Sequence, residues 1–314
     1  MASHALVTVI IPSYNHAQYI RTAINSVLTQ TYENIELIVV DDGSRDDSHT
    51  VISEFSDHPK VTTILNARNQ GQSAVMNQAL GVSRGKYISL LPSDDWFLPD
   101  KTAIQVAKME ASGCDVGVVY AAGARYFEDT GETVKVNLPV YTGWIARNLI
   151  ETGNFIYPVT PLYRREVFDL VRPSNKFKAE GEAIHMRIAL HYRYEYVDRV
   201  VAVMRDHSYN IGKNAEVMLE EVIKYQEWFF SLTELSPEIR TLKRASLGRL
   251  YKVKGMQLIF DQQERRKGRQ ALLKAVLLRP LFFLKHPKVI AALAVSFFPQ
   301  SFINIVHRTW KRRL

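Results

Sequence analysis

An α/β fold with a mostly parallel sheet is what this 314-residue chain predicts, on three observations. Between residues 7 and 91, short apolar runs rich in Val and Ile alternate with stretches whose apolar residues recur at helical spacing. The runs are apolar almost throughout, as strands buried on both faces require. Each stops at a group of polar and turn-forming residues: PSYNH, DDGSRDD, NARNQGQS and PSDD. A βαβαβαβ order of this kind folds into a sheet sandwiched by helices, and ligands bind beyond the carboxyl ends of its strands.

VTVII at 7–11 is the first strand, stopped by Pro12. From Ala17 to Gln30, the residues Ile20, Ala23, Ile24, Val27 and Leu28 line one face of a helix. IELIVV at 35–40 is the second strand, and a helix is expected over 47–55. VTTIL at 61–65 and KYISLL at 86–91 are further strands, separated by a Gly-containing loop and a helix over 73–82. Beyond Cys114 the pattern turns mixed. DVGVVYA reads as a strand, and ARYFEDTGETVKV as a hairpin turning at Asp129 to Gly131. Helices are expected over 144–151 and 181–191, and two short strands within YEYVDRVVAVMRDH. From Asn214 onward nearly everything has helical spacing. The expected domains are 1–210, with halves 1–120 and 121–210, and a helical C-terminal region 211–314 whose tail, 265–314, is basic and amphipathic.

A hydrophobic content of 46% excludes general disorder. A single cysteine, Cys114, cannot form an intramolecular disulfide, and the N-terminus enters its first strand without a basic leader or an apolar signal core, so a cytoplasmic protein is expected. The net charge of +8 is unevenly placed: residues 261–314 hold twelve Lys and Arg against two acids, whereas residues 1–260 hold 28 against 30. The body is close to neutral, and the basicity belongs to the tail.

The adjacent carboxylates Asp94 and Asp95, at the end of the fourth strand, allow two readings. They can cap a helix opened near Pro99, or they can hold a divalent cation, which takes oxygen ligands and binds phosphorylated substrates. DDGS likewise reads either as an Asx turn closed by Gly43 or as a ligand-binding turn. Tyr14 reads either as a partly buried loop aromatic or as a ring whose flat face can pack on a ligand.

Taken together, VTVIIPSYN, VVDDGS, NQGQS and LLPSDD resemble, in order and at the right strand ends, the nucleotide-sugar-binding half of family 2 glycosyltransferases. The resemblance is continuous over about residues 6–120 and thinner to about 210. It implies a GT-A fold, Rossmann-like, with helices flanking the sheet, and an inverting enzyme that uses a nucleotide sugar, UDP-linked by expectation, and Mn²⁺ or Mg²⁺. It places Pro12, Tyr14 and Asp42 at the nucleoside, Asn69 and Gly71 at phosphate or ribose, Asp94 at the ribose and Asp95 on the metal. The basic residue often found in the helix after Gly71 is replaced by Val75 and Met76, and the earlier Asp of the metal motif by Pro92. The base in this family is an acid at a helix N-terminus. Gly181 stands at its commonest position, which leaves Glu182 or Glu180 to supply the carboxylate. His207 matches a histidine that approaches the metal or the diphosphate, and GNFIYPVTPLYRRE lies where the family builds part of its sugar and acceptor pocket. The implied acceptor is a hydroxyl of a glycan or a lipid-linked sugar, as in cell-surface polysaccharide or glycolipid synthesis. A catalytically silent, membrane-tethered nucleotide-sugar-binding module is the alternative that Gly181 keeps open.

The tail combines Phe, Leu and Trp with flanking Lys and Arg in runs too short to span a bilayer. Two readings stand: a helix pair lying on the anionic cytoplasmic face of a membrane, or a packed helical subdomain with a basic edge. Nucleic acid is not expected as a partner, because the stretch is aliphatic rather than an aromatic stacking platform.

Overall fold

The computed structural model describes residues 5–174, 176–177, 180–207, 215–262, 264–281, 287–299, 301–303 and 305–306; of 180–183 and 215–216 it describes the backbone alone. The chain divides into two compact units, Met1–Lys213 and Asn214–Leu314.

In the first unit, β1 (Val7–Ser13), β2 (Ile35–Asp41), β3 (Val61–Leu65) and β4 (Tyr87–Leu90) lie parallel in the order β3-β2-β1-β4. The helices α1 (Ala17–Leu28), α2 (Ser48–Ser53) and α3 (Gln72–Val82) make the crossovers. All seven residues of β2 are buried, as its unbroken apolar pattern requires for a strand covered on both faces. Ile20, Ala23, Ile24 and Val27 of α1 bury the predicted helix face in the same core.

Past β4 the sheet turns mixed. After β5 (Trp96–Phe97) and α4 (Lys101–Glu110) come the long β6 (Val116–Phe127), β7 (Glu132–Lys135), α5 (Ala146–Thr152), β8 (Leu162–Arg164), α6 (Val167–Leu170), α7 (Glu180–Ile188) and β9 (Arg193–Asp206). Among the described residues the nine strands form one sheet, which continues from β4 as β8-β6-β9-β5, with β7 paired to β6. β8 runs antiparallel to both β4 and β6, and β6 runs parallel to β9.

Two local readings are corrected. The pair of short strands expected in YEYVDRVVAVMRDH is one strand of 14 residues, β9. Its register against β6 jumps from Ala121↔Val197 to Ala122↔Val200, so Asp198 and Arg199 form a bulge, which a sequence reading takes for a break. The helix-cap reading of Asp94 and Asp95 also fails. Helix α4 starts at Lys101, and Asp100 occupies its cap position.

One charged side chain lies in the core. Lys101 is fully buried; its Nζ donates to Ser89 Oγ on β4 and to Gln105 Oε1, each at 2.8 Å, and sits 4.2 Å from the centre of the Phe97 ring. Burial lowers its pKa to about 7.

The second unit contains α8 (Ala215–Phe229), α9 (Pro237–Thr241), α10 (Lys243–Phe260), α11 (Arg265–Leu278) and α12 (Pro287–Val295). Leu250 and Ile259 of α10, Leu272 and Ala275 of α11, Val289 of α12 and Ile303 share a buried core. The packed-subdomain reading of the tail therefore holds for its inward face. Outward, Leu277, Leu281 and Phe297 are 75%, 77% and 64% exposed. Phe282, Phe283 and Trp310 lie outside the described residues. Among the described residues no helix is long and apolar enough to cross a membrane.

Candidate active site

The ends of β1, β2 and β4 bring the polar strand-end motifs together. The loop after β1 is held by the loop after β2: Asn15 N–H donates to Ser44 Oγ at 2.8 Å, His16 N–H to Ser48 Oγ at 3.1 Å and Ala17 N–H to Asp46 Oδ2 at 3.0 Å. Asn15 takes a left-handed φ of 53°, and its side chain accepts from Arg45 N–H. These bonds fix the position of His16.

DDGS divides its work between its two acids. Asp41 makes the Asx-type turn, accepting from Ser44 N–H, Ser44 Oγ and His49 Nε2. Gly43 closes it at φ 74°, with Arg68 backbone atoms 2.7 Å from where a Cβ would lie. Asp42 instead reaches the third loop, where its two oxygens accept from Gln70 N–H at 2.8 Å and Gly71 N–H at 2.9 Å. Tyr14 is 41% exposed at the same edge, Pro12 is half-buried and Asn69 is exposed. Beside Asp42, the buried Ser13 Oγ has no hydrogen-bond partner among the described residues. An orphaned hydroxyl at a strand end marks a place where a ligand can complete the bonding.

Asp94 and Asp95 point into different surroundings. An oxygen of Asp94 and ring nitrogens of His16 and His207 all lie within 4.8 Å of one another. Asp94 Oδ2 is 3.1 Å from His207 Nε2, and His16 Nδ1 is 2.7 Å from Ser93 Oγ. Asp95 is only 3% exposed, and its Oδ1 accepts from Arg205 N–H at 2.8 Å. Burial first, and the neighbouring Asp94 charge second, push the Asp95 carboxyl well above the usual carboxylate range. Burial also lowers the pKa of His16, favouring the neutral ring that can act as a ligand.

Arg205 ties these groups to the sheet. Its guanidinium carbon lies 4.8 Å from the ring centre of Tyr19, 5.1 Å from that of Trp96 and 5.4 Å from that of Tyr126. Its Nε donates to the Asp94 carbonyl at 3.1 Å, and its NH1 pairs with Glu128 at 3.5 Å. Tyr19 stacks on His207 at 5.0 Å. Neither His16 nor Arg205 was singled out in the sequence. His16 closes the PSYNH motif, so its place was visible, but its neighbour Asp94 is 78 positions away and only the fold joins them.

Helix α7 carries Glu180 and Glu182 in its first turn, and their side chains lie outside the described residues. Its second half is anchored by His185, fully buried between Tyr163 and Tyr194, whose pKa burial lowers to about 3.

Residues 8–171 match the family model described as Glycosyl transferase family 2. The chain belongs to that family. It is 35% identical over 178 residues to an uncharacterized glycosyltransferase of Nostoc sp., covering 55% of each chain. It is 29% identical over 230 residues to EpsH of Bacillus subtilis, also named a glycosyltransferase, covering 71% of this chain and 64% of that one. The chain thus spans about half to two thirds of these relatives. Its fold matches S. aureus TarS 1-349 in complex with UDP at a TM-score of 0.67 and 17% identity, covering 98% of this chain and 92% of that one. It also matches the mannosyltransferase PcManGT of Pyrobaculum calidifontis, in complex with GDP-Man and Mn²⁺, at a TM-score of 0.63 and 17% identity, covering 98% and 88%. For this family 2 chain, one carboxylate oxygen and two imidazole nitrogens form a donor set that could hold a divalent cation.

Proposed function

We propose that the chain is a metal-dependent, inverting glycosyltransferase that moves a sugar from a nucleotide donor, UDP-linked, to a hydroxyl of a glycan or lipid-linked acceptor. The observation that carries this reading is the meeting of His16, Asp94 and His207 at the sheet edge that also holds Asp42 and the orphaned Ser13 hydroxyl. The nucleotide sugars bound by TarS and PcManGT are in keeping with it.

In this reading Tyr14 packs on the base, Asp42 accepts from its imide, and Asn69 and Gly71 border the ribose and phosphates. Because Asp42 already holds Gly71 N–H, the loop before α3 is ordered before the donor arrives. His16, Asp94 and His207 would hold the cation, Mn²⁺ or Mg²⁺, which would supply positive charge against the diphosphate. This assignment gives Asp94 the role that the resemblance gave to Asp95. Asp95 then stands behind it as the carboxyl that fixes Arg205 and the turn. Glu182, or else Glu180, accepts the proton of the acceptor hydroxyl. The hydroxyl oxygen bonds to the anomeric carbon as the bond from that carbon to the diphosphate breaks, giving inversion.

The test is calorimetry of UDP with and without Mn²⁺. The expected result is Mn²⁺-dependent binding that is lost in Asp94→Ala and in His16→Ala with the fold retained. Unchanged metal-dependent affinity in both variants would sink the assignment.

The exposed Leu277, Leu281 and Phe297, together with the basic residues of the tail, support peripheral docking at the anionic cytoplasmic face of a membrane. That location suits a lipid-linked acceptor.

A further inference from the structure

A cleft of about 210 Å³ lies beside the candidate active site, bordered by residues 120–123 of β6, the segment 135–140 and the rings of Phe155, Tyr157 and Tyr196. The sheet topology sets its position. Because β8 is antiparallel to β4, with Ser89 opposite Leu162, the residues just before β8 lie at the edge where β4 ends and Asp94 follows. Tyr157 donates its hydroxyl to the Ala124 carbonyl at 2.9 Å, and Ala124 pairs with Val203, two residues before Arg205. Gly123 makes the close approach possible: a Cβ at that position would lie 2.1 Å from the Tyr157 ring, so only glycine lets the ring lie against the strand.

The lining states what the cleft can hold. Tyr120 and Tyr196 meet at 5.0 Å between ring centres and give it an aromatic wall. At the rim, Lys135 Nζ and Asp198 Oδ1 are 3.4 Å apart, and Tyr196 donates its hydroxyl to Asp198 at 3.4 Å. Asp198 is there because it is a bulge residue of β9, and bulges re-aim side chains beside active sites. The two rim charges cancel, so the cleft selects neither a phosphate nor a cation, whereas an ammonium donor beside a carboxylate acceptor suits a pair of hydroxyl groups. The aromatic faces suit the C–H face of a ring. The volume lies below the roughly 300 Å³ at which pockets for drug-sized ligands begin, which limits the occupant to a single ring.

We propose that this cleft binds one neutral pyranose ring of the acceptor, so that the acceptor is an existing glycan rather than a bare lipid phosphate or a polypeptide side chain. The assignment rests on the transferase reading for its direction, because the donor's own nucleotide site lies at the strand ends already described. Residues Tyr196 and Asp198 give the acceptor site its preference for a hydroxylated ring.

The experiment is saturation-transfer NMR on the full chain with a set of methyl pyranosides covering the gluco, galacto, manno and N-acetylglucosamine configurations, with UDP and Mn²⁺ calorimetry on the same samples. At least one glycoside is expected to receive saturation. Its affinity should fall about tenfold or more in Asp198→Ala, an exposed position whose loss removes a charged hydrogen-bond acceptor, and likewise in Tyr196→Ala. UDP binding should be unchanged in both variants. Transfer to none of the glycosides, or equal transfer in Asp198→Ala and the unmodified chain, overturns the proposal. Loss of UDP binding in the unmodified chain counts against the donor reading alone.

Discussion

Lys101 offers a test of the core that depends on one atom. Its ammonium group is fully buried, donating to Ser89 and Gln105 over the Phe97 ring, and burial lowers its pKa from 10.5 to about 7. In the unfolded chain the same lysine stays protonated to its ordinary value. Between pH 7 and pH 10.5 the unfolded state therefore binds the extra proton, and stability rises with pH through that window; it falls again as pH drops toward the folded value. The full shift corresponds to roughly 5 kcal/mol, and about 2 kcal/mol of it is recovered between pH 7 and pH 9. Lys101→Met keeps the length of the side chain and removes the titration. In urea unfolding at pH 7 and pH 9, the variant's stability relative to the unmodified chain should therefore be higher at pH 7 by about 2 kcal/mol than at pH 9. A difference that is the same at both pH values would refute the reasoning, because it would mean that Lys101 titrates alike in the folded and unfolded states.

Three further outcomes are expected. Arg205→Lys keeps a charge but loses the planar contacts with Tyr19, Trp96 and Tyr126, so Mn²⁺-dependent UDP affinity should fall by about tenfold without loss of fold, and equal calorimetric affinities would remove Arg205 from its positioning role. Glu182→Gln should lower turnover by roughly 10²-fold or more with donor affinity retained, and Glu180→Gln should do much less; the reverse ranking would move the proton transfer to Glu180. Replacing exposed Leu277, Leu281 and Phe297 together with Ser should reduce sedimentation with anionic liposomes while UDP binding persists. These point changes are preferable to removing residues 265–314, which would take Leu272, Val289 and Ile303 out of the second unit's core.

The first half of the fold was legible because β1, β2 and β4 are largely buried on both faces and the helices expose one polar side, so the period of the apolar pattern changes at each boundary. β1 to β4 and α1 to α3 accordingly lie within a residue or two of their expected ranges. β8 was not foreseen, since three residues carry no period, and β9 was divided because its bulge at Asp198 and Arg199 looks like a polar break. The strand-end acids were legible as a group but not individually. Which of Asp94 and Asp95 faces the two imidazoles is decided by the turn after β4 and by Arg205 N–H, a contact 110 positions away in sequence. Lys101 was invisible for a related reason: a lysine after Pro99 and Asp100 at a helix start reads as solvated, and only the packing of Phe97, Ser89 and Gln105 encloses it.

The most direct measurement is an anomalous difference map at the manganese edge from crystals grown with UDP and Mn²⁺. The account predicts one peak within bonding distance of Asp94, His16 and His207, beside the diphosphate, with Asp95 still bonded to Arg205 N–H. A peak held by Asp95 with His16 remote from it, or UDP bound at the strand ends with no manganese peak, would contradict it.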